Sequence, residues 1–213
     1  MAESMAACLR TGAQPMVEVW RGERVESLHA GHAVICAADG SVIDAWGNPD
    51  AVIYPRSSAK MIQALPLLET GAGERLDARR LARAMAAFAA ASDAGDARSR
   101  AMVRLREAMR HHPDLVAGEG RACTGLMRAA RSGVVVKTGA EGVFVAILPE
   151  QRLGVALKIV DGATRASEAA ITALLIRLGV LAASHPEALL RLNAPIRNWR
   201  GLVTGSIRTA AGF

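Results

Sequence analysis

At 213 residues, 51% hydrophobic and 22% charged, the chain has the length and composition of one well-cored globular domain; with 3% aromatics, Ala, Leu, Val and Ile must build that core. The formal charge of +6 raises nucleic-acid binding, but Arg79, Arg80, Arg83, Arg98, Arg100, Arg104, Arg106 and Arg110 spread over several predicted helices and aromatics for stacking are scarce, so no nucleic-acid partner is expected. Cys8, Cys36 and Cys123 are too few and too scattered for a disulfide framework or a zinc knuckle, residues 1–15 lack the apolar core of a signal peptide, and no run reaches membrane-spanning length, so the expected location is cytoplasmic, with no membrane partner.

Residues 1–15 read as a disordered leader ahead of a single domain over 16–213. Apolar runs at 16–20, 24–28 and 32–38 predict strands. Asp39-Gly40 is a hairpin turn, because glycine accepts the positive φ of a two-residue connection, and 41–46 is the partner strand. After Pro55 the pattern becomes helical. Ser57 or Ser58 caps the first turn, and Met61, Ala64, Leu65 and Leu68 share a stripe that Pro66 kinks and Gly71 stops. Two amphipathic helices follow, one carrying Leu81, Met85 and Phe88, the other Met102, Leu105 and Met109, with a loop at 92–96 between them. A short helix over 124–131 leads into β-branched runs at 133–137, 143–148 and 153–160, which predict an antiparallel meander. Thr164 caps a helix with Ile171, Leu174, Leu175 and Leu178 inward, closed by Gly179. Ser184-His185-Pro186-Glu187 starts one more short helix as a capping box, and 199–207 supplies a last edge strand. Strands at both ends with helices grouped between them predict an α+β domain, an antiparallel sheet with packed helices.

Two short motifs carry chemistry. In Arg56-Ser57-Ser58-Ala59-Lys60, a helix would place Ser57 Oγ and Lys60 Nζ on one face, one turn apart. A lysine desolvated at a helix N-terminus loses proton affinity, because burial and the helix dipole both disfavour its charge. It would then accept the serine proton and make the hydroxyl a nucleophile. By itself a serine cap followed by a lysine is common. Lys137-Thr138-Gly139 ends a predicted strand, and in serine hydrolases of the β-lactamase and penicillin-binding type a Ser-x-x-Lys pair accompanies such a strand. Lysine and threonine would offer donors to an anionic substrate group, and glycine would let the strand backbone approach. The third mark of that fold, Ser-x-Asn, is absent between Lys60 and Lys137.

The resemblance becomes specific over longer stretches. Gly47-Asn48-Pro49, Arg56-Ser57-Ser58-Ala59-Lys60, Gln63-Ala64 and Leu68-Glu69-Thr70-Gly71 resemble the N-terminal signature of the bacterial L-asparaginase II family. Val116-Ala117-Gly118-Glu119-Gly120-Arg121, Lys137-Thr138-Gly139-Ala140-Glu141-Gly142, Lys158, Asp161-Gly162 and Asn198-Trp199-Arg200-Gly201 resemble the rest of that signature. The resemblance implies a serine β-lactamase-like fold and hydrolysis of L-asparagine, a small amino-acid amide, to aspartate and ammonia. It implies Ser57 as nucleophile, Lys60 as its activating base and Lys137 as a further active-site lysine. Arg56, Ser58, Thr138 and Gly139 are the expected substrate-binding residues. Glu119 and Arg121 belong either to a second substrate loop or to a structural brace. No cofactor is implied.

The chain also departs from the family. The long central region that follows the Leu-Glu-Thr-Gly helix, with its second catalytic serine and its metal-ligating cysteines, is missing, so no metal is expected. Cys123 stands where an aspartate is common, and Val160 where an acidic residue is usual. Without that wall, water would reach Lys60 and weaken the site's preorganised electrostatics. Exposed apolar surface would favour a homodimer. The alternative reading is therefore an inactive remnant that binds a small ligand or a protein.

Overall fold

Val, Ile and Ala alternate densely along the strand-forming runs, so each run offers an apolar side chain to both faces and calls for cover on both. The computed structural model describes residues 11–60, 77–111, 121–131 and 133–213. In chain order the strands are β1 (Gln14–Arg21), β2 (Arg24–Ala37), β3 (Val42–Trp46), β4 (Val135–Gly139), β5 (Val143–Leu148), β6 (Leu153–Ile159), β7 (Pro195–Arg197) and β8 (Val203–Thr209). They form one antiparallel sheet in the order β4-β5-β6-β2-β1-β8-β7, and β3 pairs with the far half of β2. The helices are α1 (Ala78–Ala90), α2 (Ala97–His111), α3 (Arg121–Ala129), α4 (Thr164–Arg177) and α5 (Pro186–Leu189), and a 3-10 turn covers Arg56–Ala59. The result is a mixed α/β architecture whose sheet is antiparallel throughout.

Each face has its own core. On one, Leu81, Met85 and Phe88 of α1 pack on Val34, Val145 and Ala156. On the other, Ile171, Leu174 and Leu175 of α4 and Leu126 of α3 pack on Val17, Leu157 and Ile207. α1 sits directly on β6 at Gly154, where an added Cβ would lie 2.0 Å from the Ala86 amide nitrogen. Asp77 caps α1 by accepting from the Arg80 amide at 2.6 Å. Arg106 of α2 donates to the Phe88 and Ala89 carbonyls at 2.8 and 3.2 Å, which satisfies acceptors that the last turn of α1 leaves open. Among the described residues no helix is long and apolar enough to cross a membrane.

Several elements differ from expectation. β1 begins at Gln14 rather than 16, and Ala13 is buried, so the folded part starts inside the expected leader. Residues 24–28 and 32–37 belong to one strand of 14 residues that runs through Gly31, where the Lys158 carbonyl of β6 comes close. The Asp39-Gly40 turn spans three residues and closes with an Ala37–Ser41 bond, with Gly40 at φ 86. Thr164 is the first residue of α4, not its cap; Ala163 holds the cap position without a side-chain bond. At α5 the cap is His185, whose Nδ1 accepts from the Glu187 amide at 3.1 Å, rather than Ser184. The last strand is interior, because β7 covers its outer side. The helix expected over 61–71 lies outside the described residues.

Gly154→Ala forces α1 off the sheet and is expected to cost about 1–3 kcal/mol. Trp199→Ala, at a side chain 87% exposed, is expected to change stability by less than about 0.5 kcal/mol. Chemical denaturation of both variants measures the contrast.

Candidate active site at the Ser57 turn

The turn that carries Ser57 is built by its neighbours. Pro55 takes the N-cap position without a side-chain cap, and Arg56 turns the chain with φ 52, a left-handed conformation that a non-glycine residue holds only under constraint. The Ser58 amide donates to Pro55 O at 3.2 Å, and the Lys60 amide donates to Ser57 O. Ser58 is fully buried and its hydroxyl also donates to Pro55 O. So Ser58 braces the turn from inside, and neither serine caps a helix. Ser57 is half-buried, and its hydroxyl forms no hydrogen bond among the described residues.

β4 meets this turn with its Lys-Thr-Gly end. A Cβ on Gly139 would lie 2.7 Å from Pro55 O and 3.2 Å from the Ser58 amide, so only glycine allows the approach. Lys137, two residues earlier, shares the face of Gly139. It is 7% exposed, and burial pushes its ammonium below the ordinary lysine value. Cys123 would oppose that shift as a thiolate, and Lys60 adds to it, which puts the two lysines within electrostatic reach of each other. Cys123 is itself buried, and burial pushes its thiol up to about 11, so at neutral pH it carries no counter-charge. Lys60 is exposed to solvent. Thr138 turns to the opposite face, where its hydroxyl donates to Gly139 O at 3.1 Å and Val143 O at 3.3 Å.

A row of opposed residues crosses the sheet beside the turn: Gly139 faces Val143, Val143 faces Lys158, and Lys158 faces His32. Arg56 Nη2 bonds Glu141 Oε1 at 2.7 Å, with its guanidinium 5.5 Å from the centre of the Tyr54 ring. The side-chain bond from Arg56, and then its charge, hold the Glu141 carboxyl below the usual range. Lys158 donates to Glu141 O. Burial lowers its proton affinity, and Glu141 and Asp161 pull it back up. His32 accepts the Asn48 amide on Nδ1 at 3.0 Å; burial, then Lys158, push its pKa down, so it stands neutral with the proton assigned to Nε2.

The expected residues thus divide. Gly139 meets the turn that carries Ser57, with Lys137 on the same strand and face; Arg56 is one half of an ion pair; Ser58 and Thr138 spend their hydroxyls on the backbone. Arg121 opens α3, and Glu119 lies outside the described residues. His32, Glu141 and Lys158 had no assigned role from sequence. Lys158, a single charge inside an apolar strand, and Glu141 both lie in the stretches that resemble the family, whereas His32 left no signal. Among the described residues no group of three or more His, Cys, Asp or Glu could hold a metal, and Cys36 and Cys123 are buried in different cores.

No curated protein matches the chain at a significant level. The family model for L-asparaginase II matches residues 17–80 and 75–209, which take in the Ser57 turn, the β4–β6 meander and β8. The chain belongs to the L-asparaginase II family.

Proposed function

We propose that the protein is an asparaginase-type amidohydrolase that cleaves the side-chain amide of L-asparagine through Ser57. The observation that carries this reading is a half-buried serine with an unengaged hydroxyl, on a turn packed against the strand that bears a buried lysine of lowered proton affinity. In the reaction, Ser57 Oγ attacks the amide carbon and its proton passes to a neutral lysine amine. The carbon–nitrogen bond breaks, and the departing ammonia takes that proton. Water then hydrolyses the aspartyl ester on Ser57, with the same lysine as base. Of the two lysines, Lys137 is the better acceptor, because burial and the charge of Lys60 both favour its neutral form. Lys60, exposed, serves to hold that charge balance and the substrate carboxylate. A serine β-lactamase-like fold is part of this reading, supported by a Ser-x-x-Lys turn packed on an edge strand that ends in Lys-Thr-Gly.

A weakened enzyme, or an inactive binding remnant, is the second reading. The exposure of Lys60 favours it, and so does the division of the family match into two stretches that meet at 75–80, where the central region would fall.

Ammonia release from L-asparagine separates the two readings. Ser57→Ala is expected to lower kcat by at least ~10³-fold and Lys137→Met by ~10²–10⁴-fold. A cooperatively folded wild type that releases no ammonia would establish the remnant.

Lys137 also sets the pH dependence. The base must be neutral, so kcat/KM is expected to rise with pH along a limb centred below the ordinary lysine value of 10.5. The unfolded chain binds this proton more tightly than the folded one, so stability contributed by Lys137 rises with pH between its folded and unfolded values. Lys137→Met, which removes a buried cation, is therefore expected to raise Tm at neutral pH while it abolishes activity; thermal melts beside the assay check both signs.

A further inference from the structure

A second constellation lies on the other face of the sheet. Ser27 and His29 are two residues apart on β2 and point the same way. Gly31, next in that series, faces Met16 and Ile159 of the core under α4, whereas His32 and Lys158 face the Ser57 side. His29 Nδ1 lies 2.7 Å from Asp161 Oδ2, and His29 Nε2 lies 3.3 Å from Ser27 Oγ. Asp161 is held in place by its other oxygen, which accepts the Ala163 amide at 3.1 Å. α4 follows with no side-chain cap. The side chains of His29 and Asp161 are 16% and 44% exposed and Ser27 is half-buried, so the group is shielded yet reachable from solvent.

The order carboxylate, imidazole, hydroxyl defines a serine-hydrolase triad by geometry and role, whatever the chain order of its members. A carboxylate on Nδ1 fixes the proton there and leaves Nε2 to accept from the serine. We propose that Ser27, His29 and Asp161 form a second nucleophilic centre, distinct from the Ser57 site, that hydrolyses small carboxylic esters. Ser27 Oγ bonds to the ester carbon while its proton moves to His29 Nε2. The carbon–oxygen bond to the alcohol breaks, and His29 returns the proton to the departing oxygen. Water, deprotonated by His29, then releases the carboxylic acid and restores Ser27. Esters, more reactive acyl donors than amides, ask the least activation of a serine whose hydroxyl lies 3.3 Å from the imidazole.

A fluorophosphonate probe on the full chain, with labelled serines mapped by peptide mass spectrometry, tests this centre separately from Ser57. The expected result is a phosphonylated Ser27, with its labelling slowed at least ~10²-fold in Asp161→Asn and His29→Asn. In a Ser57→Ala background, Ser27→Ala is expected to lower p-nitrophenyl acetate hydrolysis at least about tenfold. An unlabelled Ser27 in protein with a cooperative melt overturns the proposal. So does a Ser27 labelled equally fast without His29. The Ser57 peptide in the same spectra reports on the asparaginase reading by itself.

Discussion

Where β4 ends, the absent side chain of Gly139 lets the strand backbone come against Pro55 O and the Ser58 amide, and the rest of the site is arranged around that approach. It puts Lys137, on the same face two residues earlier, beside the turn that presents Ser57. The strand is fixed by β5 on one side and by cores on both faces, so Lys137 is carried on a rigid element. The turn in turn holds Arg56 in a left-handed conformation of the kind that costs about 1–3 kcal/mol. Burial of Ser58, its bond to Pro55 O and the Arg56–Glu141 pair are what keep it there. A side chain at 139 would push these apart and leave two motifs with no site.

The electrostatics follow from the same packing. Arg56, Lys60, Lys137 and Lys158 gather around one turn, and Glu141 and Asp161 offset only part of that charge. The offset falls on the outer members, Arg56 and Lys158. Lys137 has a neutral thiol nearby where the family resemblance leads one to expect an aspartate, so Cys123 does not offset its charge. A buried, uncompensated ammonium costs stability and gives up its proton more readily, and both effects come from the same desolvation.

Much of the fold was legible from residue patterns. The β4–β6 meander follows from its β-branched runs, and α1 from the spacing of Leu81, Met85 and Phe88. The departures share a cause: local propensity suggests one role for a residue and its packing partner decides another. Residues 29–31 fall between two expected strands, yet β2 runs through them where β6 comes close to Gly31. Ser58 reads as a cap until its burial against Pro55 is seen. Of the site, Ser57, Lys60 and Lys137 stood out as motifs. His32, Glu141 and Lys158 meet through cross-strand register and turn geometry, which no local pattern encodes. Asp161 reaches His29 across 132 residues of chain, so that group was invisible in sequence.

Lys137 is buried on the strand that meets the Ser57 turn, and burial weakens its hold on its proton. Titration of the Cε resonances in protein carrying ¹³C-labelled lysine, with Lys137 assigned by its loss in Lys137→Met, measures that directly. The expected midpoint for Lys137 lies below the ordinary lysine value of 10.5. A midpoint at that value, in folded protein, would contradict it.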